Sequence, residues 1–530
     1  MRCVSRSIVA FALAAHVVRA AIPHAQAPAT AVNLNETSID ALQEALRARR
    51  VTCRTVVDHY LRRIEAYDQR GPALNAIVTV NTRAAAEADR LDTVLRTSGI
   101  VGPLHCVPAL VKDAFETSDI RTTYGSAAFK DFVPARDATV VAKLRQAGAI
   151  IIGKATLGEF ASGYAGSISG PIRSPYDIRR HPSGSSGGTG AGMAADFAVV
   201  GIGGDTGGSV RGPAAAGSLV GLRPTTPLVS RHGSVPFKPT YDSVGPITRT
   251  VRDAALVMDV IASYDAQDPL TAYAVGRVPA SFSTPLARDA LKGVRLGIVP
   301  RPMARDTDPR AADHLAIRAV FGRAVDDLRA AGAVLVDDVS VPDVGERTRR
   351  SYEANLHETE AAVDAYLAHH PGAPLKTLRS LVETPGALLP WRAKALRNTF
   401  GRHTDEPSYL QVLKNNEDTR REVLALMANH RLDALVYPTG DHHPALIAHD
   451  ITTSPDVVGD TRLGSNRTLA SVLGCPAVTV PAGFTNDRMP VGLELMGRAF
   501  DDAKILGYAY AYEQATRHRR PPQATPPLPH

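Results

Sequence analysis

The sequence predicts an α/β protein built as a single large domain, in which a central mixed β-sheet is covered by helices on both faces. Short apolar runs alternate along the chain with longer segments of helical periodicity, as strands and helices do in folds of this class. The 530 residues are 44% hydrophobic and 21% charged, which is an ordinary globular composition. The chain has no internal repeat and no clear boundary, so one domain over residues 36–520 is favoured.

Helices are predicted where apolar residues recur every three to four positions. Ser38 or Thr37 would cap the first of them. Residues 265–290 and 370–410 are punctuated by proline and glycine, and we expect them to form irregular loops or a variable lid. The predicted helices cover residues 39–46, 55–67, 82–96, 137–147, 251–262, 310–330, 351–369, 416–429 and 501–516.

Buried strands are predicted where short apolar runs lie between glycines or other turn residues. Val107–Val111 is followed by Lys112, so we expect the end of this strand to present a lysine. Phe197–Ile202 leads directly into a glycine-rich turn. The other predicted strands are Ala149–Ile152, Arg295–Val299, Ala333–Val336, Ala434–Tyr437, Ala477–Val480 and Gly492–Met496.

The two ends of the chain differ from the rest. In residues 1–27, Arg2 and Arg6 precede a short apolar stretch, which is the pattern of an export signal and is too short to span a bilayer. Residues 28–35 are expected to be a linker and residues 521–530 a proline-rich tail. We therefore predict a periplasmic or secreted protein without stable membrane insertion, or a cytoplasmic protein if the signal is not used.

Charge and cysteine content argue against several classes of protein. The formal net charge of +7 falls to about +4 without the three arginines of the signal, which is weak for a nucleic-acid-binding protein. The four cysteines form no C-x-x-C pair, which argues against a disulfide framework and against a zinc site. Apart from Cys3 in the signal, we expect Cys53, Cys106 and Cys475 to be buried free thiols; one disulfide could form in an oxidising compartment.

The most specific segment lies between Pro182 and Pro213, where two serine-bearing glycine turns flank a small apolar stretch. The first turn, S-G-S-S-G-G, holds Ser185, and the second, G-G-D-T-G-G-S, holds Ser209 just after a predicted strand. Glycines allow close approach of the backbone to a substrate, and successive N–H groups in such a turn can converge on an anion. A serine hydroxyl beside converging donors is the arrangement that acyl transfer requires.

A serine nucleophile needs a base, and Lys112 is the best candidate in this sequence. Burial would lower the pKa of this lysine and make its neutral amine available. The G-x-S-x-G elbow of α/β-hydrolases is absent, and no local S-x-x-K motif pairs a serine with a lysine. The glycine-rich turns also lack the spacing of a dinucleotide- or phosphate-binding loop.

Together these segments resemble the amidase signature family, and in appearance most closely its bacterial peptide amidases and acylamidases. The resemblance covers residues 107–113, 181–217 and 478–498, and it therefore spans most of the chain. Two small residues depart from the family pattern: Ser183 stands where the family usually has glycine, and Gly204 where threonine is common. The resemblance implies the amidase signature fold.

The resemblance also implies a Ser–cis-Ser–Lys triad. Ser209 would be the nucleophile, Ser185 the bridging serine after a cis peptide bond, and Lys112 the base that finally holds the proton. Ser186 would hydrogen-bond the lysine, while Asp205 and Arg211 would brace the nucleophile turn. Thr206, Gly207 and Gly208, together with Ser209 itself, would supply the backbone N–H groups of the oxyanion hole.

Such a triad implies an amide hydrolase that works through an acyl-enzyme without a cofactor or a metal ion. The expected substrate is a small-molecule or peptide amide, such as a C-terminal peptide amide or an aryl or acyl amide, and the enzyme would be a monomer or homodimer. Two alternatives remain open: a fatty-amide or ester hydrolase, and the glutaminase-type subunit of a tRNA-dependent amidotransferase. A non-catalytic protein with this fold would have lost a triad residue, and none is lost here.

Overall fold

The computed structural model describes residues 32–457 and 463–528. In these residues a mixed sheet of 11 strands forms the centre of one α/β domain and is flanked by helices, which confirms the predicted fold class. The predicted export signal over residues 1–27 lies outside the described residues. Among the helices of the described ranges, none has the length and apolar character that a membrane crossing requires.

The strands of the described residues fall into one large sheet and one short hairpin. They are β1 (Ile77–Val80), β2 (Pro108–Lys112), β3 (Ile150–Ala155), β4 (Ala165–Gly166), β5 (Gly170–Pro171), β6 (Val200–Gly204), β7 (Val220–Arg223), β8 (Val244–Thr248), β9 (Arg295–Ile298), β10 (Val334–Val336), β11 (Ala434–Pro438), β12 (Ala477–Phe484) and β13 (Pro490–Met496). The order in the large sheet is β1-β3-β2-β6-β8-β7-β12-β13-β11-β9-β10.

Every predicted strand is present, and the prediction missed β1, β7 and β8 of the large sheet. Gly221 and Pro246 explain two of these omissions, because glycine and proline inside an apolar run argue against a strand interior. In the folded chain β8 nevertheless lies between β6 and β7 and pairs antiparallel with both.

Helices cover much of the remaining described chain. They are α1 (Ile39–Arg47), α2 (Cys53–Tyr67), α3 (Ala84–Thr97), α4 (Thr139–Gln146), α5 (Gly187–Ala194), α6 (Arg211–Ala216), α7 (Val251–Ile261), α8 (Ala312–Ala330), α9 (Val344–Ala354), α10 (Thr359–Ala368), α11 (Leu378–Glu383), α12 (Pro390–Arg397), α13 (Pro407–Asn429), α14 (Thr468–Leu473) and α15 (Asp502–Thr516). The nine predicted helical segments are all helical here, although residues 351–369 divide between α9 and α10.

The prediction that residues 370–410 are irregular is wrong in part. This segment contains α11, α12 and the first turn of α13. Thr377 caps α11 by accepting a hydrogen bond from the backbone N–H of Ser380, and a proline opens both α12 and α13. Proline fits the first turn of a helix, so the residues that suggested loops are helix starts. We refer to α11 and α12 together as the cap.

The glycine-rich α5 was not predicted, because glycine has a poor intrinsic helix propensity. Close packing explains its composition. A Cβ atom added at Gly190 would lie 2.7 Å from the Cβ of Pro213 in α6, which is closer than van der Waals contact allows. The two helices that follow the two serine turns therefore approach each other through glycine.

The cysteine prediction also needs correction. Cys53 and Cys106 form a disulfide with a Cα–Cα separation of 5.2 Å, and Cys475 is a buried free thiol. Cys53 is the first residue of α2, and Cys106 lies two residues before β2. The packing of α2 against the sheet brings the two together, which spacing along the chain does not reveal.

The sheet places the two most informative parts of the sequence side by side. Strands β2 and β6 are parallel neighbours, with Ala109 opposite Val200 and Val111 opposite Ile202. Parallel strands end at the same edge of a sheet, where sites of α/β proteins commonly form. Lys112 at the end of β2 therefore lies next to the turn that follows Gly204 at the end of β6.

Candidate active site

Lys112 is buried at the end of β2, with 1% of its surface exposed. Its Nζ lies 2.8 Å from the Ser185 Oγ and 3.4 Å from the carbonyl oxygen of Gly204. Burial lowers the pKa of Lys112 to about 8, although the nearby carboxylates of Asp242 and Asp205 act in the opposite direction. Its amine can therefore be neutral in mildly alkaline solution while it remains in contact with a serine hydroxyl.

Ser185 lies in the first turn, and the peptide bond between Gly184 and Ser185 is cis. Its carbonyl oxygen accepts a hydrogen bond of 3.0 Å from the backbone N–H of Gly158. The hydroxyl of the next residue, Ser186, donates to the carbonyl oxygen of Gly204 at 3.2 Å. Ser186 thus shares an acceptor with Lys112, whereas the resemblance implied a direct bond between the two.

Ser209 lies in the second turn, less buried than Ser185. Its carbonyl oxygen accepts a hydrogen bond of 3.3 Å from the backbone N–H of Ser186, which ties the two turns together. Ser185 and Ser209 line the same cavity, whose volume is about 200 Å³. A substrate in this cavity would meet both serines, with Lys112 behind Ser185.

The donors around Ser209 differ in part from those expected. The backbone N–H of Gly208 donates to the Asp205 carboxylate at 2.8 Å and is therefore not available to a substrate. The N–H groups of Thr206, Gly207 and Ser209 have no acceptor among the described residues. Gly208 has a φ of +102°, a conformation that favours glycine and lets the chain turn around the Asp205 side chain.

Asp205 is the centre of a buried charge network. Its carboxylate accepts a hydrogen bond of 3.1 Å from the backbone N–H of Val210 and lies 3.1 Å from guanidinium nitrogens of both Arg211 and Arg223. Burial alone would raise the pKa of Asp205, but the two guanidinium groups outweigh it and hold this pKa well below its usual range. Arg211 is also paired with Glu494 of β13. The second turn is therefore braced by charges from three other segments.

The cavity wall comes from segments far apart in sequence. Lys238 places its Nζ 3.4 Å from the centre of the Tyr352 ring. The Nη1 of Arg467 donates to the Ser183 Oγ at 3.1 Å. Further lining residues include Ala161, Phe237, Leu356, Arg392 and Leu396. Basic, aromatic and aliphatic groups thus surround the two serines.

Several charged residues of this site were not predicted from the sequence. Asp242 accepts a hydrogen bond of 2.6 Å from the Thr206 hydroxyl and faces Lys112. Arg223 and Glu494 are completely buried. Single charges inside the apolar strands V-G-L-R and V-G-L-E-L-M are a signal that could have predicted a buried ion pair, because such residues are rarely buried alone. Nothing local in the sequence marks Arg392.

A sequence model of the family described as Amidase matches residues 55–506, which is most of the chain. The chain belongs to the amidase signature family. Members of this family hydrolyse the C–N bond of carboxylic amides, so this amidase is an enzyme, as predicted. The match includes Lys112 and both serine turns.

Curated relatives of this amidase cover nearly its full length. It is 34% identical over 501 residues to a glutamyl-tRNA(Gln) amidotransferase subunit of Halorhodospira halophila, and the match covers 92% of this chain and 99% of the relative. It is 32% identical over 518 residues to a probable amidase of Arabidopsis thaliana, with 93% and 92% covered. Among solved structures, it is similar to the native peptide amidase of Stenotrophomonas maltophilia, with 34% identity, a TM-score of 0.82 and coverage of 92% and 98%.

Proposed function

We propose that this amidase hydrolyses linear carboxylic amides through an acyl-enzyme on Ser209, with Ser185 as the bridging serine and Lys112 as the base. The contact of 2.8 Å between Lys112 Nζ and Ser185 Oγ carries the proposal, because it gives a serine of the cavity a buried amine as partner. The products would be a carboxylic acid and ammonia or an amine.

In the first half of the reaction, the Ser209 oxygen attacks the carbonyl carbon of the amide. Its proton passes to the Ser185 oxygen while the proton of Ser185 passes to the neutral amine of Lys112. The carbonyl oxygen becomes an oxyanion, which the N–H groups of Thr206, Gly207 and Ser209 would stabilise. Each such donor contributes about 2.7–4 kcal/mol to transition-state stabilisation in comparable sites.

The tetrahedral intermediate then breaks down. The proton on Lys112 returns through Ser185 to the leaving nitrogen, the C–N bond breaks, and the acyl group remains on Ser209 as an ester. Water repeats the sequence with the same relay and releases the acid. The lysine ends the cycle neutral, and no cofactor or metal ion enters the proposed steps.

We propose peptide amides and simple acyl or aryl amides as the substrate class. The overall similarity to a peptide amidase supports this choice. The cavity of about 200 Å³ lies below the range of about 300–1,000 Å³ in which drug-sized ligands are bound, so it fits a small acyl or aryl group, and a peptide or a long acyl chain would extend out of it. A fatty-amide hydrolase is the alternative that the substrate panel separates from a peptide amidase.

A substrate panel tests the proposal. The purified protein is incubated with a C-terminal peptide amide, an aryl acylamide, a long-chain fatty amide, an ester and glutamine, and ammonia, amine or alcohol release is measured. We expect the highest kcat/KM for the peptide amide or the aryl acylamide, and no release by the Ser209→Ala variant. A protein that hydrolyses none of these amides would contradict the proposal.

A second candidate is the glutaminase-type subunit of a tRNA-dependent amidotransferase, and the similarity to the Halorhodospira halophila relative favours it. Glutamine is the discriminating substrate of the panel. Hydrolysis of glutamine with little or no activity on peptide and aryl amides would support this candidate. We propose a monomer or homodimer that acts without other partner proteins, so the activity should appear in the purified chain alone.

A further inference from the structure

The cap contributes a buried cation to the active-site cavity. Arg392 lies in α12 and is 3% exposed. Its Nε donates to the carbonyl oxygen of Glu159 at 3.0 Å, and its Nη2 donates to the carbonyl oxygen of Phe160 at 2.9 Å. Its guanidinium also lies over the ring of Phe237, 4.9 Å from the centre. The two carbonyl bonds fix Arg392 to one short turn of the chain.

That turn has an unfavourable backbone. Phe160 and Ala161 have φ values of 44° and 58°, in the left-handed region that residues with a side chain rarely adopt. The cap holds the turn from two sides, because the N–H of Leu389 also donates to the Glu159 carboxylate at 2.7 Å. Ala161 follows directly and lines the cavity. Without the cap, the backbone here would be free to relax.

The same turn touches the bridging serine. Gly158, its first residue, donates its N–H to the carbonyl oxygen of Ser185 at 3.0 Å. A Cβ atom at Gly158 would lie 2.1 Å from the carbonyl oxygen of Gly163, so the turn is closed tightly on itself. The Arg392 bond to Phe160 and the bond from Gly158 to Ser185 therefore lie on the same four-residue turn.

Burial of the Arg392 guanidinium is costly unless hydrogen bonds and nearby charges compensate for the lost water. Burial lowers the pKa of Arg392 to about 10, although Glu159 acts in the opposite direction. The proposed acid–base steps do not use this guanidinium, and its bonds go to backbone carbonyls rather than to a carboxylate. Loss of the guanidinium would leave these two carbonyl oxygens without their Arg392 donors, and an unsatisfied buried acceptor costs about 1–3 kcal/mol.

We infer that Arg392 is a positioning residue of the catalytic site: by holding the Gly158–Ala161 turn, it keeps the Ser185 hydroxyl within hydrogen-bond reach of Lys112. The inference rests on the proposed triad. It also means that the position of the cap, which forms part of the substrate cavity, affects the proton relay. A substrate that fits poorly and displaces the cap would lengthen the contact between the Ser185 hydroxyl and Lys112.

The test compares three variants of α12. Arg392→Met keeps an unbranched apolar stem and removes both donors. Arg392→Lys keeps the charge, and Lys394→Met removes an exposed cation of the same helix that pairs with Asp456 at 2.6 Å. We expect kcat of Arg392→Met to fall about 100-fold, the effect of a misplacement of about 1 Å, with KM within threefold of wild type. The kcat of Arg392→Lys should lie between those of Arg392→Met and wild type, and the kcat of Lys394→Met should match wild type.

Two further measurements separate positioning from general stability. The rate of Ser209 modification by a small fluorophosphonate should fall in parallel with kcat, because it needs the relay but no cap contact with substrate. Added ethylguanidinium should restore part of kcat in Arg392→Ala and none in Ser185→Ala. If Arg392→Met does not fold, the inference is tested by the kcat of Arg392→Lys and by the rescue of Arg392→Ala with ethylguanidinium.

An unchanged kcat in folded Arg392→Met would overturn the inference, and so would a raised KM with normal kcat, which would assign Arg392 to substrate binding. The activities of two variants distinguish failure of the inference from failure of the proposed function. Full activity of Ser185→Ala would contradict the proposed triad itself. Loss of activity in Ser185→Ala with normal kcat in Arg392→Met would contradict only the proposed role of Arg392.

Discussion

The two serine turns of this amidase carry similar sequences but are held in different ways. The turn of Ser185 contains no charged residue of its own, and we call it the neutral turn. It is held by the hydrogen bonds from the Gly158 N–H to the Ser185 carbonyl and from the Ser186 hydroxyl to the Gly204 carbonyl, and one cation, Arg467, donates to its Ser183 hydroxyl. The turn of Ser209 wraps around the ionised Asp205.

This difference predicts different sensitivities. The stability of a turn held by shape and close packing falls when volume is added and changes little with pH or salt. A turn held by buried ions tolerates small changes of shape but fails when one charge is removed, because the remaining charge is left buried without its partner. The division also separates the proposed roles, since the bridging serine lies in the neutral turn and the nucleophile and oxyanion donors lie in the charged one.

The largest expected effect comes from removing the hydroxyl of Ser209. Ser209→Ala should lose at least about 10⁴-fold in kcat, as nucleophile removal does in other serine hydrolases, while the fold is unchanged. Ser185→Ala should lose less, because the nucleophile remains and only the relay is broken. Steady-state hydrolysis of one amide substrate measures both. Equal and mild losses in the two variants would contradict the division of roles.

The next effect concerns the charged turn. Glu494→Gln removes one partner of the buried Arg211 ion pair, and we expect the free energy of unfolding to fall by about 3–5 kcal/mol. Glu417→Gln is the matched control, because Glu417 pairs with Arg420 on the surface, where loss of a pair costs about 1 kcal/mol or less. Urea denaturation measures both variants. A loss below about 1 kcal/mol in Glu494→Gln would show that the network does not brace the turn.

The helix that follows the neutral turn, α5, should respond to added volume instead. Gly190→Ala places a methyl group against Pro213 at the contact between α5 and α6, and such overpacking costs about 1–3 kcal/mol. Gly322→Ala in α8 is the control, because its Cβ would meet nothing within 4 Å and the change should stabilise the helix by up to about 1 kcal/mol. Thermal unfolding at low and high salt compares the two. A strong salt dependence of the Gly190→Ala effect would argue against packing as its cause.

The smallest effect is a pH dependence of about tenfold per unit below the pKa of the base. Burial lowers the pKa of Lys112 to about 8, and the base must be neutral to accept a proton, so kcat/KM should rise with pH and level off above about 8. Asp205 stays ionised throughout because its pKa is far below this range. A flat profile between about pH 6 and 9 would show that Lys112 is not the titrating base.

The sequence predicted those parts of the site that depend on neighbouring residues. Lys112 lies at the end of an apolar strand, and both serines lie in glycine turns that flank a strand, so strand and turn patterns placed them correctly. The same patterns suggested Gly208 as an oxyanion donor. That expectation differs from the structure because the Asp205 side chain, three residues earlier, takes this N–H.

Features that depend on distant residues could not be predicted. The disulfide joins cysteines 53 residues apart, and only the packing of α2 on the sheet brings them together. The cap helices α11 and α12 are short, with prolines and glycines around them, so their helical pattern is weak. Arg392 donates hydrogen bonds to Glu159 and Phe160, more than 200 residues away in sequence.

The most direct test of the central claim is the position of a covalent label. A fluorophosphonate that modifies the active serine is added to the intact protein, and the tryptic peptide of residues 181–211, which contains both serines, is fragmented in a mass spectrometer. We expect one phosphonyl adduct per chain, on Ser209, and none in the Ser209→Ala variant. An adduct on Ser185 would contradict the assignment of the nucleophile to the charged turn.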